Sequence, residues 1–538
     1  MADRRASTII IKKTGSSVSS APVAGVYGSS RAGTFLKEAQ SNTQYLDIVT
    51  IGDSNSGSPG NFGYTVGLTH TCANLGMGIY ATPMQFTSDT APFTGNDSGN
   101  TRYNGLVGPY VEAGWRGNTR TDSGTSPITN LESAVAASNA IAIALKDAIG
   151  VYKQPPQLPT TETDTFVGGV LRPAGFAYGA AFIASGTYTS AAQGTRIRIA
   201  PRHPLIMGNG GADQDIQYRL VYGTFNEGAG NFRMKITTNI ADVLAQKTVN
   251  TNAGSYGYAT ETLDYTTTLR ASAPIEPNML AMSYDGFGSN PITGPAAFFW
   301  HSVIRKTIPG ISVSSLTYNG GHTTAQVYQI LNERTGLVKM YLKEVRQRQI
   351  AAGGTGRVLI FMNTGINGSE GGASWTTQAN NIRVMFSTLW SELSFPAADL
   401  AFVFSVSHPV PTSAQVPDIS DIGNWAAARP ATAAAANVWG AEAAQVAAGV
   451  TVYDIAASYP ATRIAALNLY DPFQATNATA PVPYAAHLRA VLAKSVTVSP
   501  DTAENEYLYT SFMDFMQADN GYIKITQAIV DSLIKAAP

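Results

Sequence analysis

Cysteine is almost missing from this chain: 538 residues contain one, Cys72. A single thiol excludes an internal disulfide framework and any cysteine-rich metal site. Charge is scarce too. Asp, Glu, Lys and Arg make up 13% of residues, about half the usual share, and the formal net charge is −1. No global field therefore draws the protein to nucleic acid or to an anionic membrane. No apolar run reaches the roughly 18 residues of a membrane-crossing helix, so no membrane span is expected. The six histidines are scattered singly, so neither a metal site nor a cofactor is expected. Neither G-x-x-x-x-G-K-[ST] nor H-E-x-x-H occurs, which argues against a nucleoside triphosphatase and a zincin. The start, MADRRASTIIIKKTGSSVSS, has only Ile9, Ile10 and Ile11 before two lysines. That is too short for a signal-peptide core. The expected location is a virion or extracellular surface reached without a signal peptide, with the cytoplasm as the alternative.

What is present is a globular composition, 44% hydrophobic, long enough for two or three domains. Gly, Ala, Ser, Thr, Asn and Tyr are abundant. A polar but weakly charged surface suits extracellular, glycan-facing or assembly-bound proteins. Cys72 shares a helical pattern with Leu68 and Leu75 and reads as a buried structural thiol.

The pattern changes twice along the chain. Residues 1–44 are rich in Ser, Gly, Ala and Lys and read as an N-terminal arm. Residues 45–85 read as strand, loop, helix and a second strand over about 77–84, the start of an α/β unit. A helix is expected over 130–149, with Gly150 to end it. After the Pro-rich KQPPQLPTTETD (153–164), residues 165–308 hold short alternating runs such as YRLVYGTF, FRMKITTNI and AFFWHSVIRK. Such runs between Gly, Asn and Pro turns suggest a β-sandwich or jelly roll.

From residue 311 the α/β rhythm returns: ISVSSLTYN, a helix in TAQVYQILNER, RVLIFMNTG, a helix over 378–393, LAFVFSVSH, an Ala-rich helix over about 425–447, and VTVYDIA. Strands alternating with helices argue for a parallel sheet covered on both faces. The boundaries expected are an arm at 1–44, a first α/β part at 45–160, an inserted β-sandwich at 161–310 with a carbohydrate-binding form, a second α/β part at 311–495, and a C-terminal helical extension at 496–538.

Ligands of open α/β sheets sit beyond the carboxyl ends of the strands. The first strand runs into Gly52-Asp53-Ser54-Asn55. The strand after the insertion runs into Asn319-Gly320-Gly321-His322-Thr323-Thr324. The next ends in Asn363-Thr364-Gly365-Ile366-Asn367-Gly368, and His487 stands before the apolar run HLRAVLAKSV. In this order the four segments resemble the conserved blocks of the SGNH hydrolases, the GDSL esterases and lipases. The resemblance covers roughly 45–85 and 311–495. It implies a flavodoxin-like three-layer α/β/α sandwich with a parallel sheet, interrupted by the β-rich insertion. It also implies Ser54 as nucleophile and His487 as base, with an oxyanion hole made by the Ser54 and Gly321 backbone N–H groups and the Asn367 amide. The site is not the G-x-S-x-G elbow, because Ser56 occupies the final glycine position.

Two positions depart from the family. The acid expected three residues before the histidine is Tyr484. Asp471 in NLYDPFQ, the poorer candidate Asp454, or a Ser–His dyad aided by a backbone carbonyl are the alternatives. The Asp that usually follows the third-block Asn is Gly368. His408 in VSHPVP also follows a strand and competes with His487 as base. Asp53, Asn55, His322 and Gly365 are candidate pocket residues. The activity implied is carboxylic ester hydrolysis, preferably of an O-acetylated polysaccharide. The alternative is a non-catalytic virion protein, a tail fibre, spike or capsid decoration, that binds a host glycan. Either could assemble as a homo-oligomer or into a virion through the N-terminal arm.

Overall fold

The computed structural model describes residues 23–52, 64–85, 116–118, 128–150, 181–183, 187–188, 196–199, 216–226, 230–237, 243–266, 281–284, 292–293, 295–306, 308–317, 335–364, 375–392, 395–406, 431–458 and 521–538. Strands are numbered in chain order. The central sheet contains β1 (Val26–Gly28), β2 (Leu46–Gly52), β16 (Ile311–Thr317), β17 (Val358–Thr364), β18 (Leu400–Val406) and β19 (Val450–Asp454), in the spatial order β1-β19-β18-β17-β2-β16. Five strands are parallel, and β1 adds antiparallel at the β19 edge. Numbered by themselves, the parallel strands stand 2-1-3-4-5, a doubly wound order whose direction reverses between β2 and β17.

The sequences of β2 and β18, LDIVTIG and LAFVFSV, are buried at every position. Both faces of these strands are covered, as near-continuous apolar runs require. Alternation assigns the faces. Ile48, Leu359 and Val403 meet the helices Arg31–Gln40, Tyr64–Asn74 and Gly521–Ala536. Val49, Ile360 and Phe402 meet Thr335–Ala351, Trp375–Glu392 and the helical residues 431–440. The protein is thus mixed α/β with a parallel sheet.

Two antiparallel sheets come wholly from the chain between β2 and β16. One holds β3 (Ala81–Gln85), β5 (Ile128–Asn130), β6 (Ala181–Ile183), β9 (Ile216–Thr224), β12 (Gly257–Tyr265) and β15 (Ala296–Arg305). The other holds β4 (Arg116–Asn118), β7 (Thr187–Tyr188), β8 (Arg196–Ile199), β10 (Asn231–Thr237), β11 (Val243–Asn250), β13 (Ala281–Tyr284) and β14 (Ile292–Thr293). Phe232 of β10 sets its ring edge-on against Tyr222 of β9 at 5.4 Å and Phe298 of β15 at 5.0 Å, joining the sheets. A register shift in β15 between Phe298 and Trp300 changes which side the strand presents. Trp300 then packs edge-on against Tyr341 of the helix Thr335–Ala351, at 5.2 Å. Arg219 of β9 makes a two-pronged ion pair with Glu344 of the same helix, its Nη2 lying 3.0 Å from Oε2.

Four elements differ from the sequence expectations. Residues 26–28 and 31–40, read as part of an arm, are β1 and a helix whose Ala32, Phe35, Leu36 and Ala39 are buried. Arg31 anchors this helix by donating to the carbonyls of Ala397, Leu400, Ala447 and Ala448. The strand expected over 77–84 is β3, and it pairs antiparallel with β15 instead of entering the parallel sheet. The helix expected over 130–149 is two, Leu131–Ala136 and Ala140–Ile149. Asn139 caps the second through its side-chain oxygen, and Gly150 ends it at φ +70°. The long helix Thr335–Ala351 was not expected, and TAQVYQILNER lies outside the described residues.

The elements converge on Asp47, wholly buried at the start of β2. Its Oδ1 accepts from Arg348 Nη2 at 2.6 Å, and its Oδ2 accepts from Tyr80 OH at 2.5 Å and Gln349 Nε2 at 2.8 Å. Arg348 Nη2 also donates to Ser312 Oγ at 2.9 Å. Gln349 Oε1 accepts from the N–H groups of Gly356 and Arg357, fixing the turn into β17. Burial alone would lower the Arg348 pKa, but Asp47, Tyr80 and Tyr341 outweigh it and hold the guanidinium protonated. Burial first, then the Asp47 charge, pushes the Tyr80 phenol well above its ordinary value, so it remains a donor.

Replacing Asp47 by Ala leaves Arg348 charged and buried, which costs about 3–5 kcal/mol; urea unfolding of the variant should show a midpoint lowered accordingly. Tyr80 and Tyr218 are both raised well above 10.0. Above that pH the unfolded chain releases protons that the folded chain keeps, so stability falls as pH rises. Titration should show these two phenols ionising only together with unfolding. Burial likewise pushes the Cys72 thiol up to about 12. A thiol reagent should leave it unmodified at pH 8 and label it once denaturant unfolds the chain; labelling of the native protein would contradict its burial.

Candidate active site

The parallel strands end level with one another. The register pairs Thr317 with Gly52, Gly52 with Asn363, Asn363 with Ser405, and Ser405 with Tyr453. One row therefore crosses β16, β2, β17, β18 and β19 at their carboxyl ends. Neighbouring strands in a sheet lie about 4.8 Å apart, so the β16, β2 and β17 ends of this row span about 10 Å. The direction of winding reverses inside it, between β2 and β17, where an open α/β sheet offers its crevice.

Two rungs below, the register aligns Ser315, Thr50, Phe361, Val403 and Thr451, and two rungs lower Val313, Ile48, Leu359 and Ala401, so polar residues enter this face before its last rung. At the end it carries Gly52, Asn363 and Ser405. Asn363 is 3% exposed and Ser405 is fully buried. Tyr64, the first residue of the next helix, packs against Phe361 at 5.8 Å between ring centres. That contact brings the helix N-terminus, the positive end of its dipole, to the carboxyl edge of the sheet.

Asp454 closes β19 on the opposite face, paired in register with Val406. Asn437 Nδ2 donates to its Oδ2 at 3.1 Å, and its own N–H donates to Gly25 O at 2.7 Å. Three strand spacings separate β19 from β2, about 14 Å. Asp454 therefore stands on the correct edge but away from the β2 end.

Ser54, Asp53 and Asn55, Gly321 and His322, Gly365 and Asn367, His408, Asp471 and His487 all lie outside the described residues. What the structure describes is the strand leading into three of the blocks, β2 before Ser54, β16 before Gly321 and β17 before Asn367, and β18 before the competing His408; no described strand leads directly into His487. Sequence reasoning placed Asn363 at a strand end without giving it a role, and did not single out Ser405. The available signal was a polar residue near the end of an otherwise apolar strand. Among the described residues, no group of three His, Cys, Asp or Glu could hold a metal ion, and no helix is long and apolar enough to cross a membrane.

No protein-family model matches the chain, and no curated protein does. Among solved structures, the chain is similar to one described as a peptidoglycan O-acetylesterase in action. The identity is 10% and the TM-score 0.39, over 90% of this chain and 99% of the other.

Proposed function

We propose that the protein is a serine esterase of the SGNH type that removes O-acetyl groups from a glycan. The observation that carries this reading is the level row of strand ends at the switch point. Three neighbouring strands, β16, β2 and β17, each lead within a few residues into one block of the set. Ser54 is two residues past Gly52, Gly321 four past Thr317, and Asn367 four past Asn363. An extended chain covers at most about 3.6 Å per residue. Ser54 is thus tethered within about 7 Å of the row by two such steps, and the two donor residues within about 14 Å by four.

The chemistry follows from the residue types. Ser54 Oγ attacks the acyl carbonyl while His487 takes its proton. The oxyanion is held by the N–H groups of Ser54 and Gly321 and by the Asn367 amide. The C–O bond to the sugar then breaks, and the departing alkoxide takes the proton from His487. Water, deprotonated by the same imidazole, attacks the acyl-enzyme, releasing acetate and restoring Ser54. Asp471 orients the imidazole. In this reading the parallel sheet with the helices on its two faces, Arg31–Gln40 and Gly521–Ala536 among them, forms one three-layer α/β/α domain. The antiparallel strands between β2 and β16 form an inserted sandwich that holds the polysaccharide.

The test is hydrolysis of p-nitrophenyl acetate and acetate release from an acetylated polysaccharide, each beside Ser54→Ala. Ser54→Ala should abolish both, and Asn367→Ala should lower kcat about 100- to 1,000-fold, the loss typical of one oxyanion donor. His487→Ala should abolish turnover and His408→Ala should spare it; the reverse makes His408 the base. Equal, negligible turnover by wild type and Ser54→Ala on both substrates would sink the esterase reading and leave a glycan-binding role.

A further inference from the structure

We propose that the face of β12 beside the helix Thr335–Ala351 is a glycan-binding ledge, with the Tyr258 ring as the surface on which a sugar stacks. The inference rests on the esterase reading above and names the side chains of the inserted sandwich that hold the polysaccharide. β12 is the outermost strand of its sheet among the described residues. Alternation puts Tyr258, Thr260, Thr262 and Asp264 on one face. That face is turned to the helix, because Thr260 Oγ1 donates to Glu344 Oε2 at 3.4 Å. Tyr258 is 44% exposed, and among the described residues no other aromatic side chain is exposed. Its register partner is Gly223, so β9 sets no side chain beside the ring. Burial first, then the Glu344 charge, raises the phenol above its ordinary value, so it stays a donor.

Charge on this strand is answered within the chain. Glu344 is met by Arg219, Asp264 by Lys306 at 2.6 Å, and Glu261 by Lys247 at 2.5 Å. Asp264 also accepts from Gln217 Nε2 at 3.0 Å. The ledge thus offers no net charge to a charged polymer, and charged side chains on an edge strand oppose the addition of a peptide strand. What it offers is an exposed ring, two threonine hydroxyls and carboxylates held in place by their cations. These groups complement an uncharged sugar, whose C–H face packs on a ring and whose hydroxyls both donate and accept. Height favours the same occupant. Thr262 pairs in register with Arg219, and Thr260 with Val221, itself the partner of Trp300. Arg219 meets Glu344 and Trp300 meets Tyr341, so the run from Thr262 to Tyr258 climbs toward the carboxyl edge of the parallel sheet. Tyr258 lies about 13 Å beyond Thr262 along the strand, and Glu344 about 6 Å beyond Arg348 along the helix. Gly52 lies about 16 Å beyond Asp47, the partner of Arg348. The ring therefore stands within a few ångströms of the height of the Gly52 row. From there to Asp264 the ledge runs about 20 Å, long enough for several sugar units.

Retardation in native gels cast with acetylated xylan or acetylated glucomannan tests the proposal, with thermal unfolding run beside it. Wild type and Ser54→Ala should be retarded alike. Tyr258→Ala should bind about 3- to 10-fold more weakly, the loss expected of one aromatic contact, and Tyr258→Trp should restore retention. Val438→Ala, at an exposed apolar residue of another helix, should leave it unchanged. If Tyr258→Ala does not fold, Thr262→Val carries the test, with binding weakened about threefold by the lost hydroxyl. Wild-type retention in folded Tyr258→Ala overturns the ledge, and so does a wild type retarded in neither gel. A wild type that sediments as a dimer, with Tyr258→Ala a monomer and neither retarded, makes this face an interface between copies instead. Acetate release from the same polysaccharides separates the two levels. Equal, negligible release by wild type and Ser54→Ala overturns the esterase reading, while retention lost in Tyr258→Ala still upholds the ledge. Release abolished in Ser54→Ala, with retention unchanged in Tyr258→Ala, overturns the ledge alone.

Discussion

The pairing of Asp47 with Arg348 is the constraint on which the arrangement of layers depends. A carboxylate inside a central strand is untenable unless its charge is met, and here it is met from three directions. Arg348 and Gln349 come from the helix Thr335–Ala351, Tyr80 from the segment just before β3, and Ser312 from β16 through the same guanidinium. Tyr80 is fastened further by its backbone, donating to Ile311 O and accepting from Arg305 N–H. One carboxylate thus joins two strands of the parallel sheet, a covering helix and the entry to an antiparallel sheet. A buried ion pair adds little net stability over an apolar packing of the same shape, but its directionality is strict. Its value here is to allow only one way of docking these elements.

The position of that joint matters for chemistry. Asp47 and Gly52 belong to the same strand, five residues apart, or about 16 Å. The charged joint therefore sits toward the amino end of the sheet and the candidate site at the carboxyl end. The carboxyl end can carry Gly52, Asn363 and Ser405 in place of apolar side chains because the other end already fixes strand register. Buried Ile48, Val49 and Ile51 of β2, interrupted by Thr50, and the apolar middles of β17 and β18 lie between the two polar zones.

Much of this was legible in the sequence, and what was not has physical causes. The strands β2, β17 and β18 were plain because double-sided burial demands continuous apolar runs. The helix Thr335–Ala351 was hidden because part of its buried face is Glu344, Arg348 and Gln349, whose partners are distant in sequence. Polarity at those positions reads as solvent exposure unless Asp47 and Arg219 are known to face them. The segment 26–40 looked like an arm because its composition is dominated by small residues; Ala32, Gly33 and Ala39 are what permit its helix to lie close. At Gly33 an added Cβ would stand 2.0 Å from Leu533 O, so the approach of the C-terminal helix demands glycine there. The four blocks stand in the sequence in order, three of them just past described strands, and lie outside the described residues. The row beneath them was not legible, because only pairing register reveals that Gly52, Asn363 and Ser405 are neighbours.

The docking of the antiparallel sheet fixes how far it stands above the parallel one. Two contacts fix its sense along the helix Thr335–Ala351: Arg219, paired in register with Ser302, meets Glu344, and Trp300 meets Tyr341. Moving from Glu344 to Tyr341 on the helix therefore corresponds to moving from Ser302 to Trp300 on β15. Continuing that way, Thr335 lies six helical residues beyond Tyr341, about 9 Å, and about 20 Å beyond Arg348 in all. That is close to the height of the Gly52 row above Asp47. Ala296 lies four strand residues beyond Trp300, about 13 Å, so β15 begins at or above the carboxyl edge of the parallel sheet. The wall of antiparallel strands thus rises beside the site rather than beneath it.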